Sequence, residues 1–217
     1  MTLSRPKALL FDWDNTLVDS WALLHRSMNV TLAGMGEPAW SYEETRRRVR
    51  ASARESFPHL FGERAEEAAA LFYRTFEASH LEALCEVPGA GGMIAELAGA
   101  GFYLAVVSNK MGPILRREAA HLGWDRHFRA LVGANDAARD KPAAEVVDLA
   151  LAGSGLAPGP EVWLIGDTDI DMACAVNAGC VPVLLRPEAP VEGEFATAAP
   201  HLHLKNCAAL AQRLREV

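Results

Sequence analysis

No apolar stretch in this chain approaches the roughly 20 residues that a bilayer-spanning helix needs. The first apolar run is short, follows Arg5 and Lys7, and leads straight into aspartates. It reads as a strand and not as a signal peptide, and a soluble cytoplasmic protein is expected. Cysteine is scarce. Cys85, Cys174, Cys180 and Cys207 form no Cys-x-x-Cys pair, which tells against zinc and dithiol redox chemistry and fits small buried hydrophobes in a reducing compartment. Basic residues are outnumbered, 21 Lys and Arg against 28 Asp and Glu, for a net charge of -7. That balance argues against a general nucleic-acid binder, so any phosphate must be held by local features such as a metal, a lysine or backbone amides. No lysine occurs between Lys7 and Lys110, no internal repeat is present and no low-complexity linker interrupts the chain.

What is present is an alternation. Short apolar runs at Lys7–Phe11, Phe102–Ser108, Arg129–Gly133, Val162–Gly166 and Val181–Leu185 read as strands. Helical patterns lie between them at Gly92–Gly99, Pro113–Leu122, Ala144–Ala152 and Met172–Asn177. Apolar strands separated by amphipathic helices predict an α/β fold with a parallel sheet covered on both faces. From Trp21 to Leu84 the rhythm stops and only helix signals remain. Trp21, Leu24, Met28 and Leu32 recur at helical spacing. Ser41 and Glu44 form a capping box that predicts a helix through Arg54, and 63–84 reads as a further helical run broken once. Pro88-Gly89 ends this all-helical insert. The 217 residues suffice for one sizeable core with a small accessory domain.

Two acidic pairs end apolar runs: Asp12 and Asp14 in Phe-Asp-Trp-Asp-Asn-Thr, and Asp167 and Asp171 in Gly-Asp-Thr-Asp-Ile-Asp. Strand ends of a parallel sheet gather on one edge, so the pairs can meet. Carboxylates crowded there repel unless a cation sits among them, and a hard divalent ion with oxygen ligands resolves the conflict. Asp12 can attack phosphorus directly, and Asp14 can protonate the leaving oxygen and later accept a proton from water. Asn15 suits a left-handed turn, and Thr16 can donate a hydrogen bond. Ser108 and Asn109 end the second strand, where a hydroxyl and free amides can hold a phosphate. Lys141, in Asp-Lys-Pro, can pair with phosphate and nucleophile together. Asp167 reads as a direct metal ligand, and Asp171 as a residue that fixes a metal-bound water or Lys141 from behind. Each motif alone also has a plain structural reading: an Asp-Asn turn, a helix N-cap, a solvated lysine, acids at a helix start.

Asp12-x-Asp14-x-Thr16, then Ser108-Asn109 after a strand, then Lys141-Pro142, then Gly166-Asp167-Thr168-x-x-Asp171 resembles, over the whole chain and in order, the haloacid dehalogenase superfamily of hydrolases. Asp12–Ser20 and Gly166–Met172, with Ala178-Gly179 following, are similar to its phosphoglycolate-phosphatase-like branch. The resemblance implies a Rossmann-like three-layer core over 1–18 and 87–217 and a helical cap of the type placed after the first motif, over 19–86. It implies a magnesium-dependent phosphatase with an aspartyl-phosphate on Asp12, acting on a small phosphorylated metabolite. It also implies that the Asp14 backbone carbonyl joins Asp12 and Asp167 on the metal, with Thr16, Ser108, Asn109 and Lys141 holding the phosphate. The insert lies between Asp12 and Ser108, where the family's cap belongs, and residues 17–23 are expected to hold the hinge. Asn15 departs from the usual glycine, but asparagine tolerates the left-handed region.

Other readings stay open at this point. A sugar-phosphate mutase of the superfamily usually carries valine at the Thr16 position, and a dehalogenase proper lacks Asp14. A phosphonate hydrolase needs a cap lysine, which the insert does not contain. A non-catalytic phosphate-binding protein on the same fold is the reading from another class. His25, Arg46, Arg47, Arg50, Arg54, His59 and His80 could meet an anionic substrate, though most are expected on solvated helix faces. A monomer or a homodimer is compatible with the sequence.

Overall fold

A computed structural model describes residues 4–217. Residues 1–3, the start of the expected 1–18 segment, lie outside the described residues. The strands are β1 (Ala8–Phe11), β2 (Val18–Asp19), β3 (Cys85–Glu86), β4 (Tyr103–Met111), β5 (Ala130–Ala134), β6 (Val162–Gly166), β7 (Val181–Leu185) and β8 (Leu202–Leu204). Six of them form one sheet in the order β5-β4-β1-β6-β7-β8, and every pairing in it is parallel. Strands β1, β6 and β7 are buried at every position, which is why they appear in the sequence as unbroken apolar runs. Residue alternation sorts their side chains between two cores. Leu9, Phe11, Val106 and Ile165 pack against α5 (Ala90–Gly99), α6 (Gly112–His121) and α9 (Cys207–Arg215). Leu10, Ala105 and Leu164 pack against α7 (Glu145–Leu151) and α8 (Asp169–Asn177) on the other face. The expected three-layer α/β core is the observed one.

One strand runs longer than expected. β4 continues past Ser108 to Met111, and its pairing with β5 jumps from Val107↔Val132 to Met111↔Ala134. Residues 108–110 therefore bulge out of the ladder, a device that re-aims side chains at a sheet edge.

The insert is helical: α1 (Trp21–Met35), α2 (Tyr42–Arg48), α3 (Ala53–Phe61) and α4 (Ala65–Glu77). Met28, Leu32, Trp40, Phe57 and Ala68 bury together in a core of their own. The capping box forms as expected, with the Glu44 N–H donating to Ser41 Oγ at 3.1 Å and the Ser41 N–H donating to Glu44 Oε2 at 2.9 Å. The helix it opens does not reach Arg54. It stops at Arg48, Val49 turns extended, and Ser52 caps a new helix by accepting the Ser56 N–H through its carbonyl at 2.9 Å. The cause is tertiary, since Ser52 Oγ donates to Asp140 Oδ2 at 2.6 Å and pins the break to the sheet side of the molecule. The run expected over 63–84 is a short 3-10 turn, Gly62–Arg64, then α4, then irregular turns. Where the chain leaves and rejoins the core, β2 and β3 pair antiparallel as a two-residue ribbon, too short to leave a pattern in the sequence.

Candidate active site

The sheet order places β1 between β4 and β6, and the chain leaves β1 toward β4 but leaves β6 toward β7, in opposite directions at the carboxyl edge of the sheet. Such a reversal opens a crevice at the strand ends. Asp12 follows β1 directly, and its N–H still donates to Ile165 O at 2.8 Å, which fixes the nucleophile candidate to the edge of the sheet. Asn15 adopts φ 63, the left-handed turn expected of it, and its Oδ1 accepts the Ser20 N–H at 3.1 Å.

Lys141 occupies the centre. Its Nζ lies 2.7 Å from Asp12 Oδ1 and 2.6 Å from Asp171 Oδ1, with its side chain only 3% exposed. Asn109 holds the lysine in place from β4: its Nδ2 donates to Lys141 O at 3.2 Å and its Oδ1 accepts the Lys141 N–H at 2.9 Å. Asn109 lines the crevice and its side chain is bonded to the Lys141 backbone. Asp171 is equally fixed, since its Oδ2 accepts from the Thr168 N–H at 3.0 Å and from Thr168 Oγ1 at 2.7 Å. Thr16 Oγ1 lies 3.5 Å from Asp167 Oδ1, and Ser108 Oγ accepts the Lys110 N–H at 3.2 Å. Asp12, Thr16, Ser108, Asn109, Lys141, Asp167 and Asp171 therefore gather at this one edge.

Asp12, Asp167 and Asp171 are buried and each offers an oxygen within 4.8 Å of the others. Burial pushes the Asp12 carboxyl up to about 6 against the pull of Lys141, and the Asp171 and Asp14 charges add to the rise. Burial, followed by Asp171 and Asp12, raises Asp167 well above the usual carboxylate range. For Lys141 burial works downward, but the two carboxylates outweigh it and hold the ammonium above its ordinary value. The pocket thus holds more negative charge than Lys141 neutralises. Oxygen-only donors with excess negative charge fit a hard divalent cation such as magnesium. Both Asp171 oxygens are already engaged by Lys141 and Thr168, so Asp12 and Asp167 are the carboxylates free to turn toward such an ion.

Asp14 lies beside a second charge chain that sequence reasoning missed. Its Oδ1 is 2.7 Å from Lys110 Nζ and also accepts a bond from Ser20 Oγ. Lys110 Nζ in turn lies 2.6 Å from Glu118 Oε2, which also accepts Trp13 Nε1 at 2.7 Å, while Glu118 Oε1 meets His80 Nδ1 at 3.0 Å. One signal was readable: Glu118 is a carboxylate on the same helical stripe as Ile114, Leu115 and Ala119, all buried.

The insert reaches the crevice through polar contacts. Arg54 forks onto Asp140 with bonds of 3.1 Å and 2.6 Å, Arg50 pairs with Asp169 at 3.4 Å, and Arg46 lies 3.6 Å from Glu188. His25 bonds Thr45 within the insert, and His80 is buried on Glu118. Arg47 and His59 are exposed. A cavity of about 130 Å³ runs from Asp12, Asp14, Ser108, Lys141 and Asp167 to the underside of the helical insert.

Residues 9–184 match the family described as haloacid dehalogenase-like hydrolase. The chain is 26% identical over 197 residues to the phosphoglycolate phosphatase of Yersinia pestis, covering 80% of this chain and 78% of that one. It is 32% identical over 182 residues to the tyrosine-protein kinase PtkA of Mycobacterium tuberculosis, where it spans 82% of its own length and 62% of the relative's. Among solved structures, a haloacid dehalogenase superfamily hydrolase from Ehrlichia chaffeensis aligns with a TM-score of 0.68 at 26% identity, over 99% of this chain and 98% of that one.

Proposed function

We propose that this chain, which belongs to the haloacid dehalogenase-like hydrolase family, is a magnesium-dependent phosphatase that hydrolyses a small phosphomonoester through an aspartyl-phosphate on Asp12. Relatives with phosphatase names and the acidic crevice agree on hydrolysis of phosphoric monoester bonds. The observation that carries the mechanism is Lys141, which bridges Asp12 and Asp171 by bonds of 2.7 Å and 2.6 Å at the end of the central strand. An ammonium there steadies an anionic nucleophile beside an anionic substrate.

Asp12 and Asp167, with the Asp14 backbone carbonyl, are the groups that would hold magnesium, which supplies charge neutralisation for the phosphoryl oxygens. In the first step an Asp12 oxygen bonds to phosphorus as the ester P–O bond breaks. The departing alkoxide takes a proton from Asp14. Its Oδ1 is held by Lys110 and Ser20, so Oδ2 is the oxygen we assign to proton transfer. In the second step water attacks the phosphorus on Asp12, Asp14 recovers a proton from that water, and inorganic phosphate leaves as the Asp12 carboxylate is restored. Thr16, Ser108 and the backbone around Asn109 line the phosphate's place. Asp171 acts by holding Lys141.

Residues 19–86 serve in this reading as a cap over a core of 1–18 and 87–217, closing the crevice to water during the reaction. Among the described residues no helix is long and apolar enough to cross a membrane. The expected setting is the cytoplasm and the expected partner a small phosphorylated metabolite. Magnesium-dependent release of phosphate from p-nitrophenyl phosphate, abolished by Asp12→Asn with the fold retained by circular dichroism, is the expected result. A protein that binds phosphate without catalysis releases none, and full turnover in Asp12→Asn overturns the nucleophile assignment.

A further inference from the structure

Beyond the carboxylates, the cavity changes character. On the insert side its walls are Trp21, Leu24, Met28, Phe57, Phe72 and Phe76. Trp21, Leu24 and Met28 share one stripe of α1, while Phe57, Phe72 and Phe76 come from α3 and α4 and stack edge to face or in parallel with ring centroids 5.6 Å and 6.0 Å apart. Among the described residues, four cations line the cavity, and each already has a partner. Lys141 lies between Asp12 and Asp171, and Lys110 between Asp14 and Glu118. Arg48 stacks on the Trp40 ring at 4.8 Å with Glu44 at 3.9 Å, and Arg50 meets Asp169 at 3.4 Å. Lys141 and Lys110 belong to the carboxylate end, where the phosphate goes.

A second anionic group on the substrate would therefore enter an apolar chamber whose cations are engaged. An unpaired carboxylate taken from water into such surroundings is strongly disfavoured. An apolar group gains from the same transfer. The cavity of about 130 Å³ includes both the phosphate end and these apolar walls, so the apolar group it takes beside the phosphoryl group is a small one.

We infer that the substrate is the phosphomonoester of a small apolar alcohol, and that an ester carrying a second anionic group, such as phosphoglycolate, is a poor one. This rests on the phosphatase reading above and adds the leaving group to it. Ser52 and Ser56 are engaged, Ser52 with Asp140 and Ser56 with the Ser52 carbonyl. Tyr73 also lines this wall.

The test compares benzyl phosphate with phosphoglycolate, using the full chain with magnesium. Both esters release a primary alcohol, so intrinsic leaving ability is matched and the cavity makes the difference. A kcat/KM at least about tenfold higher for benzyl phosphate is expected. Leu24→Ala, which enlarges the chamber, should shift preference from benzyl toward naphthylmethyl phosphate. Leu24→Arg should depress benzyl phosphate and raise phosphoglycolate, and the alanine variant alone decides if the arginine variant does not fold. Phosphoglycolate preferred by the parent protein, with the preference lost in Arg50→Met, overturns the inference: it would mean Arg50 leaves Asp169 to bind the second anion. A Leu24→Ala protein with unchanged preferences overturns it as well. Release of phosphate from no ester at all overturns both this inference and the phosphatase reading, whereas a preference for phosphoglycolate overturns the substrate class alone.

Discussion

Lys110 Nζ lies 2.6 Å from Glu118 Oε2, and neither side chain is more than 4% exposed. The ammonium also meets Asp14 at 2.7 Å and sits 4.9 Å from the centre of the Phe76 ring. Burial alone pulls the Lys110 ammonium down, and Asp14 with Glu118 outweighs it, so the ion remains charged by virtue of its partners. Without Glu118 the ammonium keeps Asp14 but loses its more buried partner, and each buried polar group orphaned there costs about 1–3 kcal/mol. Glu118→Leu should lose about that much stability in urea denaturation, with Trp13 Nε1 and His80 Nδ1 losing their acceptor as well. A single variant within about 0.5 kcal/mol of the parent would show that water reaches this chain, because exposed pairs contribute so little.

Lys141 is the residue whose loss should damage the chemistry severely while leaving the nucleophile itself in place. Methionine fills similar space but leaves Asp12 and Asp171 facing each other without the ammonium. Lys141→Met should lower kcat by about a hundredfold to a thousandfold, the range for deleting one aimed charge from a site. Arginine should not rescue it, because its planar fork does not reproduce a point charge bonded to two separate carboxylates. Single-turnover phosphate release measures the effect, and a loss under tenfold would remove Lys141 from the mechanism.

Stability of the metal-free protein should depend on pH in a direction set by Asp12. Its carboxyl rises from 3.8 to about 6 on folding, because burial disfavours the charged form. A raised carboxyl contributes stability that is fully present below the unfolded value and is lost as pH climbs through the folded one. A rise of about two units corresponds to roughly 3 kcal/mol, and Asp167 shifts in the same direction. Glu44, Glu67, Glu145 and Glu194 shift the opposite way, and their contribution falls away below the glutamate value of 4.5. The window from pH 5 to 7 therefore isolates the acidic cluster. In the presence of a chelator, urea stability should fall across that window. Magnesium should flatten the fall, since an ion bound only by the native state adds stability by mass action. A chelated protein that gains stability from pH 5 to 7 would contradict the assignment.

Much of this was visible in the residue order, and the reasons are local. Val162–Gly166 and Val181–Leu185 coincide with β6 and β7 because strands buried on both faces leave unbroken apolar runs. Asp12, Lys141, Asp167 and Asp171 could be picked out because a parallel sheet with loops at one edge brings strand-end residues together whatever their separation. What escaped depends on partners distant in sequence. The helix break at 49–52 is set by Ser52 reaching Asp140, 88 residues away. Ser108-Asn109 after a strand suggested a phosphate site, but nothing in the spacing showed that the Asn109 amide also holds Lys141, 32 residues on. Glu118 gathers Trp13, His80 and Lys110 from three other segments, and no spacing rule connects them.

Gly166 shows how closely the site depends on a missing side chain. It ends β6 directly before Asp167, and a methyl group built on it would overlap the Cβ and carboxyl group of Asp171. Asp171 has no room to yield. One oxygen is bonded to Lys141 at 2.6 Å and the other to Thr168, and the residue is 1% exposed. Gly166→Ala should therefore push α8 away from the strand end and pull Asp171 off Lys141. Overpacking of this kind costs about 1–3 kcal/mol, which a domain of this size can survive. The functional effect should be larger than the structural one, because Lys141 would lose the bond that balances its hold on Asp12. The expected outcome is a folded protein with kcat lowered at least about tenfold and a melting temperature lowered by only a few degrees. Gly166→Ala with parental kcat would mean that the Asp171–Lys141 contact is not needed for turnover.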